Sequence, residues 1–205
     1  MRRLRRWSRR LVFEVAKRFS VANRRSKGEF IRQYCRDNGL RSMLFIGAGG
    51  GTGPIARIVE QAAAAEATTV VSADLIVHRD SPWTFVQCDG TALPFPDQSF
   101  DLVLSNAVIE HVGDEDLQRR FVAEHLRVGR HFAVTTPNKW FPVETHTQAV
   151  LRHWSPRWRA AHADRFTRLL SKRQLKALLP AGSRIRADLL RVTWTGVGRS
   201  EGSRA

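Results

Sequence analysis

Short apolar runs alternate with longer stretches of mixed polarity along most of the chain, and that alternation sets the expected elements. Residues 43–46, 69–73, 84–88, 102–105 and 131–136 are apolar-rich runs of strand length, the pattern of strands covered on both faces. The stretches between them read as helical, so strand and helix alternate. This predicts an α/β fold in a single domain, a Rossmann-like, doubly wound, mostly parallel sheet with helices on both faces. Asp114, Glu115 and Asp116 open a helix running through Phe121 to Leu126, their charges suiting its N-terminal dipole, and Gly129 closes it. Ser171 with Gln174 has the spacing of a capping box for a helix over 172–179. Residues 184–190 and 192–197 read as a final strand pair, and 199–205 as a disordered tail. Ahead of the first strand, Leu4, Trp7, Leu11, Val15 and Phe19 recur at helical spacing among Arg2, Arg3, Arg5, Arg6, Arg9, Arg10, Lys17 and Arg18. A basic amphipathic helix is therefore expected within a segment 1–42, followed by the main domain over 43–198.

The first strand runs straight into glycines: MLFIGAGGGTG, residues 43–53. Glycine is needed where a turn demands backbone angles that side chains forbid and where a ligand must touch the main chain. Pro54 suits the first turn of a helix expected over 55–67, whose exposed amides would face that ligand. Two cofactor classes use such a turn. The dinucleotide fingerprint is present if read from Gly51, Gly53 and Ala56 with Asp74 downstream. That register leaves Gly47, Ala48, Gly49 and Gly50 unexplained beyond the strand end, and Gly47, Gly49 and Gly51 fit the turn better.

Four segments follow in order: IGAGGG at 46–51, VVSADL at 70–75, QCDGTALPFPDQSFDLVLSNAVIEHV at 87–112 and VTTPN at 134–138. Together they resemble the class I S-adenosylmethionine-dependent methyltransferases, in particular the small-molecule group called methyltransferase domain type 11. The third segment is the specific one. The resemblance implies S-adenosylmethionine as cofactor. It implies that Gly47, Ala48, Gly49 and Gly51 let its methionine part pack on backbone, and that Asp74 accepts from both ribose hydroxyls. Leu75 would cover one adenine face, Asp89 would accept from the exocyclic amine with Gly90 beside it, and Asn106 would lie near the sulfonium. Asp74 and Asp89 also read as ordinary loop caps, since aspartate is common at turns. The chain departs from the family where an acidic residue usually stands two positions before the first glycine and helps hold the cofactor's amino group; here that position is Phe45. A second departure is LRVGRHFAV at 126–134, without the usual proline-glycine-glycine turn.

Methyl transfer needs a general base only if the acceptor must lose a proton, since positioning and desolvation supply most of the rate. Candidates are His111 after the fourth strand, and Glu144 and His146 after the fifth. A lone loop histidine is more often structural. Trp140 and Phe141 read either as acceptor-stacking residues or as core aromatics. No histidine pair has zincin spacing and no acidic cluster suggests a divalent ion, so no metal is expected.

Charge divides the 205-residue chain more sharply than any linker. Residues 1–42 hold 14 Lys and Arg against 3 acids, 43–152 hold 8 against 13, and 153–205 hold 12 against 3, for a net charge of +15. The basic flanks predict an anionic partner. Three readings compete for the N-terminal helix: a lid over the site with a solvated basic face, peripheral contact with an anionic membrane surface, or nucleic acid binding. The last is weakest, because base-modifying enzymes often show Asn-Pro-Pro-aromatic where this chain has SNAVIEH. Cys35 and Cys88 are too few for a disulfide framework and suit a reducing compartment. No apolar run approaches membrane-spanning length, and the start does not read as a secretory signal. The sequence thus leads to a cytoplasmic methyltransferase acting on a small-molecule or lipid-linked acceptor, with peripheral membrane contact through that helix as one of its readings. The alternatives are an RNA methyltransferase or a catalytically degenerate cofactor-binding protein.

Overall fold

The structure, a computed structural model, describes residues 2–48, 55–142, 151–161 and 168–200. A long helix α1 (Arg2–Asp37) precedes β1 (Ser42–Ile46), α2 (Ile58–Ala64), β2 (Thr69–Asp74), β3 (Thr84–Gln87) and β4 (Phe100–Asn106). Then come α3 (Glu115–Val128), β5 (Gly129–Pro137), α4 (Pro156–Ala161), α5 (Lys172–Leu178), β6 (Arg184–Ala187) and β7 (Thr193–Arg199). All seven strands form one sheet in the order β3-β2-β1-β4-β5-β7-β6. Strands β1 to β5 pair in parallel, and β7 runs antiparallel to both β5 and β6. The order reverses at β1, where β2 and β3 leave to one side and β4 and β5 to the other, which opens a crevice at the strand ends.

Successive strand residues point to opposite faces, and the two faces build two cores. Leu44, Ile46, Val103, Phe132 and Val134 pack with Phe121 and Val122 of α3 and Leu175 of α5. Met43, Phe45, Leu102, Leu104 and Ala133 pack with Ile31, Tyr34 and Cys35 of α1 and with Val59 and Ala63 of α2. The doubly wound arrangement expected from the apolar runs is thus the one observed.

Local signals explain most boundaries. Asp114 caps α3 by accepting from the Leu117 amide, and Gly129 ends it in an extended conformation that starts β5 at once. The Ser171–Gln174 capping box is present at α5. The helix expected over 55–67 is shorter, because residues 55–57 are turns and the chain turns again after Ala64. The strand expected over 184–190 stops at Ala187, since Leu190 and Arg191 adopt positive φ. The sheet also runs past the expected start of the tail: Arg199 closes β7, and the buried Ser200 donates its hydroxyl to the Gly129 carbonyl at 2.6 Å. Any tail therefore starts no earlier than residue 201, and 201–205 lie outside the described residues.

Candidate active site at the strand ends

Gly47 begins the site. Its φ is +71°, and a Cβ there would lie 2.4 Å from the Val108 side chain, so only glycine fits the turn off β1. Its amide donates to the Ala73 carbonyl at 2.8 Å, tying the end of β1 to the end of β2. Asp74 follows at once, with Oδ1 accepting from the Ile76 amide at 3.2 Å and Oδ2 lying 3.2 Å from His78 Nε2. Leu75 is 64% exposed beside it, an apolar side chain held in solvent at the mouth of the crevice. Past β3, Asp89 accepts from the Thr91 amide at 2.8 Å. A Cβ on Gly90 would meet the Phe121 ring at 2.6 Å, so the backbone there can approach the core as no other residue would allow. Asp74 and Asp89 do cap their loops, as the simpler reading held, and each stands at a strand end while doing so.

Asn106 closes β4, and a polar network surrounds it. Its amide Nδ2 donates to Glu60 Oε1 at 2.9 Å, and its Oδ1 accepts from the Thr135 hydroxyl at 2.8 Å. Thr135 Oγ1 in turn accepts from the Ala107 amide at 3.1 Å and lies 3.5 Å from Lys27 Nζ. Lys27 descends from α1 and is buried, and burial pulls its ammonium down to about 8 from the usual lysine value, opposed chiefly by Asp188. Glu60 is 5% exposed, and burial pushes its carboxyl above the usual range. Glu110, also buried, accepts from the Thr136 hydroxyl at 3.2 Å.

Gly47, Ala48, Asp74, Leu75, Asp89, Gly90 and Asn106 thus gather at the carboxyl ends of β1 to β4. His111 sits at the same end, exposed in a one-turn 3-10 helix (Ile109–His111) after β4. Gly49, Gly51 and Pro54 in the glycine turn, and Glu144 and His146 after β5, lie outside the described residues. Phe45 is fully buried and packs edge-on to Trp83, ring centroids 5.0 Å apart, so the place of the usual acidic residue is filled by core. Trp140 is 57% exposed, 6.3 Å from the Trp154 ring and under the Lys139 ammonium, which sets aside core packing for it. Sequence reasoning missed Lys27, Glu60 and Glu110. A signal existed for Lys27: it falls four residues after Asn23 and four before Ile31, on the face of α1 that is buried.

The site fits a nucleoside carrying a cationic amino-acid end. Asp74 and Asp89 set carboxylates at neighbouring strand ends, Leu75 offers an exposed apolar contact beside Asp74, and the second oxygen of Glu60 is buried without a hydrogen-bond partner among the described residues. Sheet order, glycine turn and strand-end carboxylates together define a class I methyltransferase fold. Residues 46–132 match the family profile of the methyltransferase domain. Over 92 residues it is 37% identical to a ubiquinone/menaquinone biosynthesis C-methyltransferase, UbiE, of Xanthomonas oryzae pv. oryzae, covering 39% of this chain and 36% of the relative. The chain therefore matches about a third of that relative's length. A ubiquinone biosynthesis O-methyltransferase of Brucella anthropi is 28% identical over 169 residues, 80% of this chain and 67% of the relative. Among solved structures, the N-methyltransferase NodS of Bradyrhizobium japonicum aligns with a TM-score of 0.56 at 11% identity, covering 87% of this chain and 96% of that one. The Burkholderia thailandensis 1,6-didemethyltoxoflavin-N1-methyltransferase, solved with its substrate and S-adenosylhomocysteine, aligns with a TM-score of 0.55 at 16% identity, covering 88% and 79%. These two share the fold.

Proposed function

We propose that the chain is an S-adenosylmethionine-dependent methyltransferase acting on a small-molecule or lipid-linked acceptor. The observation that carries this reading is the meeting of Gly47, Asp74, Asp89 and Asn106 at the ends of four adjacent strands, in a segment matched by the methyltransferase family profile. When bound, the cofactor supplies an activated methyl group on its sulfonium. The chain's own part is to bind and orient: Asp74 takes the ribose hydroxyls, Leu75 covers the adenine, Asp89 accepts from the adenine amine, and Asn106 borders the reacting end. His111, Glu144 and His146 are the residues to test as bases for an acceptor that must lose a proton.

A lipid-linked acceptor is favoured by the rim of the site. Trp140, Trp154, Leu189 and Leu190 are exposed, with Leu190 at 73%, and Asn138 joins their loops by donating to the Arg191 carbonyl at 2.9 Å and accepting from the Trp140 amide at 3.0 Å. Lys139, Arg152 and Arg191 stand among them. Such a rim, with the basic helix α1, suits peripheral contact with an anionic membrane, where apolar tips enter and cations meet headgroups.

The test is to incubate the protein with methyl-labelled S-adenosylmethionine and, separately, a bacterial lipid extract, a polar metabolite extract and total RNA. Label entering the lipid or metabolite fraction supports the reading, and transfer to RNA alone overturns it.

A further inference from the structure

We propose, resting on the methyltransferase reading, that Glu60 of α2 forms an ammonium-binding subsite, taking over the role of the acidic residue that β1 lacks. Its uncommitted carboxylate oxygen receives the amino group at the amino-acid end of the methyl donor.

The geometry follows from strand register. Phe45 pairs with Leu104, and both belong to the core shared with α1 and α2. Asn106 lies two residues beyond Leu104, so its side chain leaves the same face of the sheet one pleat nearer the strand ends, roughly 7 Å along the strand. There it donates to Glu60 Oε1 at 2.9 Å. The Glu60 carboxylate therefore stands on the face where an acid at position 45 would project, displaced toward the crevice and away from the ring contact between Phe45 and Trp83.

Glu60 also has what a vacated acid position needs to be replaced by, namely one oxygen that the fold leaves unused. Oε1 is fixed by Asn106, whereas Oε2 is buried without a hydrogen-bond partner among the described residues. A buried carboxylate oxygen left this way is costly, and such exceptions in folded proteins call for a ligand or a functional reason. Two neighbouring cations, Lys27 and Arg24, attract the Glu60 carboxylate, but neither hydrogen-bonds Oε2. Lys27 Nζ reaches Thr135 and is drawn by Asp188, Glu60 and Glu110 together. Arg24 directs a guanidinium nitrogen to the carbonyls of Ile55 and Ala56, each at 3.4 Å. A cationic ligand group next to Oε2 would complete the site and relieve the carboxyl of the burial penalty that now raises its pKa.

The experiment compares two neutral thioethers of adenosine, one with the amino-acid end and one without it: S-adenosylhomocysteine and 5′-methylthioadenosine. Both are titrated calorimetrically into the wild type and into Glu60→Gln, which keeps the side chain's size and an oxygen for Asn106, with circular dichroism confirming that the variant is folded. The expected result is a fall of at least tenfold in affinity for S-adenosylhomocysteine, with that for 5′-methylthioadenosine changed less than twofold. If both ligands weaken together, or neither does, Glu60 is no ammonium subsite and the proposal falls while the cofactor reading stands. If the wild type binds neither ligand, the cofactor reading falls and takes this inference with it. An unfolded Glu60→Gln would assign the residue to structure and likewise overturn the proposal.

Discussion

His125 is a buried histidine whose protonation state the fold dictates. Its Nδ1 lies 2.8 Å from the Phe121 carbonyl, which can only accept, so Nδ1 carries the proton and Nε2 accepts from the Ser105 hydroxyl at 2.9 Å. Burial lowers its pKa from 6.5 to about 4. A folded-state pKa below the unfolded one contributes stability that is present above about pH 6.5 and is lost as pH falls through about 4, because the unfolded chain binds the proton first. The loss for this group is of order 3 kcal/mol. Urea denaturation midpoints measured across that interval should fall with pH in the wild type, and the slope should flatten in His125→Leu. An unchanged slope in the variant would remove His125 from the acid response. The same scale shows what the sequence could and could not tell. Asp74, Asp89 and Asn106 were legible because each ends an apolar run beside a family motif. Glu60 was not, since a charged residue within a helix reads as surface until the packing turns it inward, and only the packing of α2 against β4 puts Glu60 beside Asn106.

Arg127 accounts for the specific segment LPFPDQSFD at the level of elements. From the last turn of α3 it donates to the carbonyls of Leu93 and Phe95 at 2.9 and 2.8 Å and to Asp97 at 2.8 Å, while pairing with Glu124 on its own helix. Glu124 accepts from the Leu93 amide at 2.7 Å, and the Gln98 amide donates to the Arg127 carbonyl at 2.7 Å. The segment is thus a strap from the Asp89 turn to β4, fixed to α3 by two side chains and making no claim on a ligand. Arg127→Met should lower stability by roughly 2 kcal/mol, because it strands carbonyls that charged donors now satisfy. Hydrogen exchange should speed up over residues 90–98; unchanged exchange there would contradict the strap. Helix α1 is docked by comparable means. Tyr34 bonds His131 Nδ1 at 2.7 Å, Arg184 and Arg186 of β6 lie over the Phe30 ring, and Asn23 donates to Asp188. The alternation of apolar runs was enough to read the layers. Which strand would bend away early was not legible, because positive φ at Leu190 and Arg191 has no glycine to announce it.

At the scale of the whole molecule, the mildly acidic middle of the chain and its basic flanks build one fold: β6 and β7 of the C-terminal flank extend the sheet, and one of its faces is packed by α1. Its 36 residues span roughly 54 Å, whereas the seven strands occupy about 29 Å across, so the helix outreaches the sheet that its second half covers. Among its described side chains, Asn23, Lys27, Ile31, Tyr34 and Cys35 are buried; the stripe at Leu4, Trp7, Leu11 and Val15 lies outside them. If α1 and the Trp140 rim meet a membrane, the protein should cosediment with phosphatidylglycerol vesicles and not with phosphatidylcholine. Replacing Arg2, Arg3, Arg5, Arg6, Arg9 and Arg10 with Gln should weaken that binding at least tenfold, each cation contributing about 1 kcal/mol. Equal sedimentation with both lipids would reject the electrostatic part. All of this rests on the crevice at the strand ends holding S-adenosylmethionine, and calorimetric titration of the protein with S-adenosylmethionine and with NADH, repeated on Asp74→Ala, tests it most directly. The account predicts micromolar binding of S-adenosylmethionine alone, lost in the variant; binding of NADH instead, or of neither, would contradict it.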